Sequence, residues 1–219
     1  YPKRWMAAAN RLIPPNVFPF QHNGLIAKYA VLSEADFHRL NGPETRNVSV
    51  WARFAQPSRL VWAVDETARD RAVAAVSRAA PTLLAAAGSI DGEAPLDWWR
   101  RAFSLTYSVE LRAERTGRAQ SVVDADADRY ERFSIPAMAA IPTGARSGGW
   151  ARRRIEGKLL SIARLAKASL TYAGGIDYLA WKINRHAGTK IEIKPWQRRW
   201  PLVAALTLVP RLIRGGAIR

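Results

Sequence analysis

The amino-acid sequence predicts an α+β fold, with a small mixed β/α front part followed by a mainly helical part. The apolar run at residues 25–32, which contains one lysine, is typical of a buried strand. Apolar residues alternate at period two in residues 48–54, and a second β-rich run follows at 60–64, so we expect a hairpin there. From Asp65 onward the apolar residues recur at helical spacing, which predicts helices for most of the remaining chain.

Capping and breaking residues mark the predicted helix boundaries. Ser33 caps a short helix in the front part. Asp65 begins a second helix, which ends near Ala80 because proline disfavours helical backbone at the residue before it. Pro81 opens a third helix, and Gly88 ends it. A further amphipathic helix is predicted from apolar residues at i, i+3 and i+7, which are Leu96, Trp99 and Phe103.

Three aspartates, Asp124, Asp126 and Asp128, precede another predicted helix. Carboxylates stabilise the positive end of the helix dipole, so their position favours helix initiation. A metal site is the alternative interpretation. The i, i+2, i+4 spacing does not hold three carboxylates on one helical face, so we name no metal ligands.

The sequence divides into three parts, and a linker separates the second part from the third. The β-containing part covers residues 1–64, and a helical middle domain covers 65–142. Residues 143–149 include three Gly and one Ser and are predicted to be the linker. Residues 150–219 form a basic, amphipathic, helical C-terminal region.

The charge of the chain predicts a polyanionic partner. The 219 residues include 34 Lys and Arg but only 18 Asp and Glu, a net charge of +16. Residues 143–219 hold 16 of those basic side chains and 3 of the acidic ones. Nucleic acid, anionic lipid or a nucleotide would complement this excess. The absence of Cys excludes disulfides, thiol nucleophiles and thiolate zinc sites, and no common nucleophile or phosphate-loop motif is present.

The C-terminal helices suit a membrane surface. An amphipathic helix with Arg and Lys on its polar face and Trp at its margins can lie in the headgroup layer of an anionic bilayer. No apolar run approaches the ~20 residues that span a bilayer, so the expected association is peripheral. An ordinary solvated helix face and nucleic-acid binding stay as alternatives. The residues predicted to contact the membrane are Arg153, Arg164, Lys167, Trp181, Lys182, Arg198 and Arg199.

Two basic residues lie in apolar, β-like runs. Lys28 interrupts residues 25–32, and Arg53 lies near the end of residues 48–54. A buried cation needs an anionic partner, so such a residue either forms an ion pair in the core or binds a ligand phosphate. The sequence leaves both roles open for each residue.

Several segments together resemble, in order, the mitochondrial-type phosphatidate cytidylyltransferases, the peripheral CDP-diacylglycerol synthases of the translocator assembly and maintenance family. They lie within residues 16–186, with Ala30 where the family has glycine and Gln56 where it has lysine. The segments are 16–19 (NVFP), 23–33 (NGLIAKYAVLS), 51–57 (WARFAQP), 105–112 (LTYSVELR) and 167–175 (KASLTYAGG).

The resemblance implies transfer of CMP from CTP to phosphatidate, with Mg²⁺ as cofactor, and a front part derived from a nucleotidyltransferase-like domain. It also implies a peripheral location, on the cytoplasmic face of a bacterial inner membrane or on the matrix side of the mitochondrial inner membrane. In the family, a Gly-Ser loop and paired aspartates precede these motifs, and no counterpart precedes Asn16, so no catalytic residue is named. The substrate- and phosphate-binding residues that it implies are Lys28, Tyr29, Arg53, Glu110, Arg112 and Glu114.

Two other functions stay open at this point. One is a non-catalytic membrane-surface or scaffold homologue of the same family. The other is a basic nucleic-acid-binding protein, although no helix-turn-helix, zinc-finger or RNA-recognition signature is present.

Overall fold

The computed structural model describes residues 4–23, 25–110, 117–171, 176–177, 180–181, 183–184 and 188–215. The described residues form two compact units. The terminal unit contains those up to Ser33 and those from Lys158 onward, and the central unit contains those from Glu34 to Gly157. The predicted α+β class is confirmed, because a small antiparallel sheet near the N-terminus is followed by helices. The predicted parts 1–64, 65–142 and 150–219 stay a prediction.

The terminal unit begins with helix α1 (Arg4–Leu12) and a β-hairpin. Strand β1 (Asn16–His22) pairs antiparallel with β2 (Leu25–Val31). Asn23 in the connection has a positive φ of 47°, a conformation that asparagine tolerates better than most residues. The side chains of Asn10 and Asn16 donate to the carbonyls of Val31 at 3.1 Å and Met6 at 2.8 Å, so buried amides hold α1 against the hairpin.

The central unit consists of helices. Their bounds are α2 (Glu34–Leu40), α3 (Trp51–Phe54), α4 (Glu66–Ser77), α5 (Ala79–Ala87), α6 (Pro95–Tyr107), α7 (Arg118–Asp124) and α8 (Ala127–Ala139). Helix α9 (Trp150–Thr171) begins in this unit and ends in the terminal unit. In the terminal unit follow α10 (Pro195–Arg199) and α11 (Pro201–Arg214).

Large aromatic side chains form the core of the central unit. Trp51, Trp99 and Phe103 are completely buried, and Tyr130 lies edge-on to both Trp99 and Phe103, with ring centroids 5.1 and 5.9 Å away. The indole Nε1 of Trp99 donates to Ser134 Oγ at 3.0 Å, which satisfies its polar atom inside the core. Burial raises the pKa of Tyr130, so this hydroxyl stays neutral in the core.

Asp65 and Gly88 bound helices of the central unit as predicted, whereas the boundary predicted at Ala80 and Pro81 lies earlier, because α4 ends at Ser77 and α5 begins at Ala79. Asp65 precedes α4 and accepts a hydrogen bond from the backbone N–H of Ala68 at 2.6 Å. Gly88 follows α5 with a positive φ of 71°, a conformation typical of a glycine C-cap. Asp126 is the N-cap of α8 and Asp128 lies in its first turn, whereas Asp124 belongs to the preceding helix.

The predicted hairpin at residues 48–64 is wrong. Residues 51–54 form helix α3, and residues 57–63 lie outside helices and strands. The physical reason is that Val48, Trp51, Ala52 and Ala55 are all buried in the core. Their spacing of i, i+3, i+4 and i+7 is that of one helical face, which the period-two alternation in the same segment concealed.

Candidate membrane-docking and phosphate-binding residues

Lys28 and Tyr29 lie on β2, and both side chains are exposed. Lys28 is opposite Pro19, and Tyr29 is opposite Phe18, on which its ring stacks with centroids 5.2 Å apart. Residues 25–31 are therefore a strand, as predicted, but the prediction of a buried strand is wrong. A two-stranded sheet in the described chain does not cover both of its faces, so a lysine here remains in contact with water.

Arg53 lies on α3 of the central unit, so its predicted place on a strand is wrong. Its side chain is exposed, whereas the neighbouring Trp51 and Ala52 are buried. Helical geometry produces this result, because successive residues point 100° apart and only one face meets the core. An exposed guanidinium requires no buried counter-charge, which leaves Arg53 available for contact with an anion in solution.

The predicted polar cluster at 110–114 is described only at its first member. Glu110 lies just beyond the end of α6 and is half-buried. Arg112 and Glu114 lie outside the described residues. A common site for these three side chains stays a prediction.

Arg164 and Lys167 are half-buried on the last turns of α9. Arg164 Nη2 donates to the carbonyl of Pro14 at 2.7 Å, and Lys167 Nζ donates to the carbonyls of Ile13 and of Pro15, the latter at 2.9 Å. Burial, together with the nearby Arg164, lowers the pKa of Lys167 to about 8. These cations hold α9 against the segment before β1, and their membrane contact stays a prediction.

Arg153 is half-buried in the central unit and lies between two indole rings. Its guanidinium carbon is 5.9 Å from the ring centroid of Trp51 and 5.6 Å from that of Trp150. Its Nη1 also donates to the carbonyl of Arg46 at 3.0 Å. Burial lowers the pKa of Arg153, but a guanidinium remains protonated in proteins. The structure therefore gives Arg153 a role within the fold.

Replacing Arg153 by methionine should lower the free energy of unfolding by about 2 kcal/mol, because it removes both cation–π contacts and the hydrogen bond. Arg153→Lys should recover less than half of the loss, since an ammonium cannot stack on the rings as a guanidinium does. Urea unfolding followed by circular dichroism measures both changes. Arg152→Met is the matched control, because Arg152 is exposed and forms a surface pair with Glu156. Equal losses for Arg152→Met and Arg153→Met would contradict this role.

The C-terminal candidates are exposed in the terminal unit. Arg198 pairs with Asp177 at 2.9 Å, and Arg199 and Trp181 are exposed. Lys182 lies outside the described residues. Sequence reasoning did not select Arg211 and Arg214, which lie exposed in the last turn of α11. The signal that could have found them is their position directly after the longest apolar run of the chain.

The described residues offer no ligand set for the Mg²⁺ that the resemblance implies. Within the described ranges, no three His, Asp or Glu side chains are placed to hold a metal ion. Asp124 instead pairs with Arg100 at 2.8 Å, and Asp126 pairs with Arg129 at 2.8 Å. Among the described residues, these carboxylates are therefore held by arginines and are not placed to bind Mg²⁺.

No described helix combines the length and the apolar character needed to cross a bilayer. The comparisons with known proteins identify no relative. Neither a protein-family model, nor a curated protein, nor a solved structure matches this chain.

Proposed function

We propose that this chain works at an anionic membrane surface and docks there through residues 194–214, which we call the docking segment. This segment contains α10 and α11, five basic residues and no Asp or Glu. Trp196, Trp200 and Val203 are exposed beside those charges. This combination of exposed indole rings, exposed aliphatic surface and a net positive charge is the observation that carries the proposal.

The exposed apolar side chains favour lipid over nucleic acid as the anionic partner. Arg and Lys neutralise phosphates of either polymer or bilayer, so the charge alone does not discriminate. Trp rings are stabilised at the boundary between headgroups and acyl chains, where their apolar body and polar N–H are both accommodated. Moving the exposed Val203 of α11 into that boundary would lower the free energy, because its apolar surface would leave water. A phosphate backbone would remove little of this apolar surface from water.

We further propose that the reaction served by this docking is the transfer of CMP from CTP to phosphatidate. A phosphatidate oxygen attacks the α-phosphorus of CTP, the bond to the β-phosphate oxygen breaks, and pyrophosphate leaves as CDP-diacylglycerol forms. The ordered resemblance of residues 16–186 to the phosphatidate cytidylyltransferases supports this proposal. Lys28 and Arg53 are the matching cations, and their exposure suits them to bind substrate phosphate.

Replacing Lys28 or Arg53 by methionine should weaken binding of CTP or of phosphatidate about tenfold each, because one charge-assisted hydrogen bond to phosphate is lost. The melting temperature should stay nearly unchanged, since both side chains are exposed. Isothermal titration with CTP and sedimentation with phosphatidate vesicles measure the affinities. Lys190→Met and Arg69→Met are matched controls, one exposed cation in each unit. Unchanged affinity with clearly lowered stability would show that Lys28 and Arg53 are structural.

Incubation of the full chain with CTP, Mg²⁺ and phosphatidate vesicles tests the reaction itself. We expect CDP-diacylglycerol and pyrophosphate in equal amounts. Vesicle binding without either product would favour the non-catalytic scaffold. Binding to duplex DNA or RNA that exceeds binding to anionic vesicles at the same salt concentration would favour the nucleic-acid-binding alternative and overturn the proposal.

A further inference from the structure

Residues 60–64 of the central unit are an apolar run outside every described helix and strand. Val61 and Trp62 are 87% and 76% exposed, and Leu60 and Val64 are also exposed. Within the described part of the chain, no hydrogen bond joins the backbone of residues 59–64 to another backbone group. β-branched and aromatic residues with unpaired backbone groups are the features of a strand edge that another chain can extend.

We propose that a second copy of this chain pairs with this run and with the charged residue at each of its ends. We call residues 59–65 together the pairing segment. The pairing is antiparallel and centred on Trp62, so that the two copies form a two-stranded intermolecular sheet around a twofold axis. A twofold interface requires that one surface be complementary to itself. Each residue before Trp62 must therefore be compatible with the residue at the same distance after Trp62, because these two lie opposite one another in the antiparallel pair.

The charges at the two ends of the pairing segment meet this requirement. In an antiparallel register centred on Trp62, Arg59 of each copy lies opposite Asp65 of the other. Both side chains are exposed. Asp65 uses one carboxylate oxygen, Oδ1, to cap α4, and its second oxygen can accept from a guanidinium. Two opposite-charge pairs therefore bracket the apolar centre, and a shift of register by one residue would separate both pairs.

The side chains between these charges are complementary as well. Leu60, Trp62 and Val64 share one face of an extended strand, because side chains alternate at period two. In the proposed register Leu60 lies opposite Val64 and Trp62 lies opposite its own copy, which forms one continuous apolar face from two chains. Val61 lies opposite Ala63 on the other face. This pairing would bring the most exposed apolar side chains of the segment into contact across the two chains, and no charged residue falls within the apolar centre.

The absence of Cys from the chain allows a direct test with single engineered thiols. Trp62→Cys places one thiol per chain at the twofold axis, where directly opposed residues are close enough for a disulfide. Mild oxidation of the full-length variant should give disulfide-linked dimer at least ~10-fold faster than oxidation of Val73→Cys, an exposed position on α4. Equal rates for the two variants would overturn the proposal.

Charge exchange tests the register without a thiol. Arg59→Asp and Asp65→Arg each place like charges opposite one another at both ends, so each variant alone should dimerise about tenfold more weakly than the original chain. An equimolar mixture should regain the original affinity, because a mixed dimer restores both opposite-charge pairs. Sedimentation equilibrium measures these affinities, and circular dichroism checks that α4 persists in Asp65→Arg. An original chain that stays monomeric at all concentrations, or a mixture no tighter than the single variants, would overturn the pairing.

Discussion

Replacing Trp99 by alanine is expected to lower the free energy of unfolding by about 3–5 kcal/mol, a larger loss of stability than we expect from Arg153→Met. Trp99 is 0% exposed and contacts Phe103 and Tyr130. The substitution removes a large apolar side chain and leaves a cavity that the surrounding helices fill only in part. It also leaves the hydroxyl of Ser134 without the donor that it accepts from.

Chemical unfolding in urea, followed by circular dichroism, measures this loss. Trp200→Ala is the matched control, since Trp200 is 59% exposed in the terminal unit and its truncation should cost less than about 1 kcal/mol. The loss of unfolding free energy for Trp99→Phe should lie between those of Trp99→Ala and Trp200→Ala, because an aromatic ring remains in the core but the hydrogen bond of the indole is lost. A loss below about 1 kcal/mol for Trp99→Ala would show that α6 does not form the core as described.

Features decided by neighbouring residues in the chain could be predicted from the sequence. Asp65 begins a helix because its carboxylate reaches a backbone N–H three residues later. Gly88 ends a helix because it adopts a positive φ at little cost. The strand at residues 25–31 follows from a short, mostly apolar run that contains neither Gly nor Pro. Each of these depends on interactions within a few residues, so no knowledge of the rest of the fold was required.

Features decided by distant parts of the chain could not be predicted. The exposure of Lys28 depends on how many strands join its sheet, which no local pattern reports. The helix at residues 51–54 forms because Val48, Trp51 and Ala55 reach one common core, although the alternation of apolar residues within 48–54 also suited a strand. Arg153 contacts Trp51, about a hundred residues away in sequence. The sequence pattern around Arg153 predicted membrane contact and did not indicate this partner.

The second large effect concerns the docking segment. Replacing Arg199, Arg211 and Arg214 together by glutamine should reduce partitioning onto anionic vesicles about 100-fold, because each basic side chain near an anionic surface contributes ~1 kcal/mol. All three are exposed, so the fold should be retained. The decrease should be largest at low salt and diminish as salt screens the attraction.

The matched control removes the same charge from the central unit. Arg39, Arg69 and Arg132 are exposed there, and their joint replacement by glutamine also lowers the net charge by three. If attraction between the vesicle and the net charge of the whole chain governed binding, both triple variants would lose affinity equally. Docking through residues 194–214 instead requires a loss that is specific to the first triple variant.

Docking at a membrane surface is tested most directly by co-sedimentation with vesicles of phosphatidate and phosphatidylcholine. The experiment compares the original chain with these two full-length variants. We predict that the original chain and the central-unit variant sediment with the vesicles, whereas the docking-segment variant stays in the supernatant. We also predict that none of the three sediments with vesicles of phosphatidylcholine alone. Equal sedimentation of both variants with the anionic vesicles would contradict docking through residues 194–214.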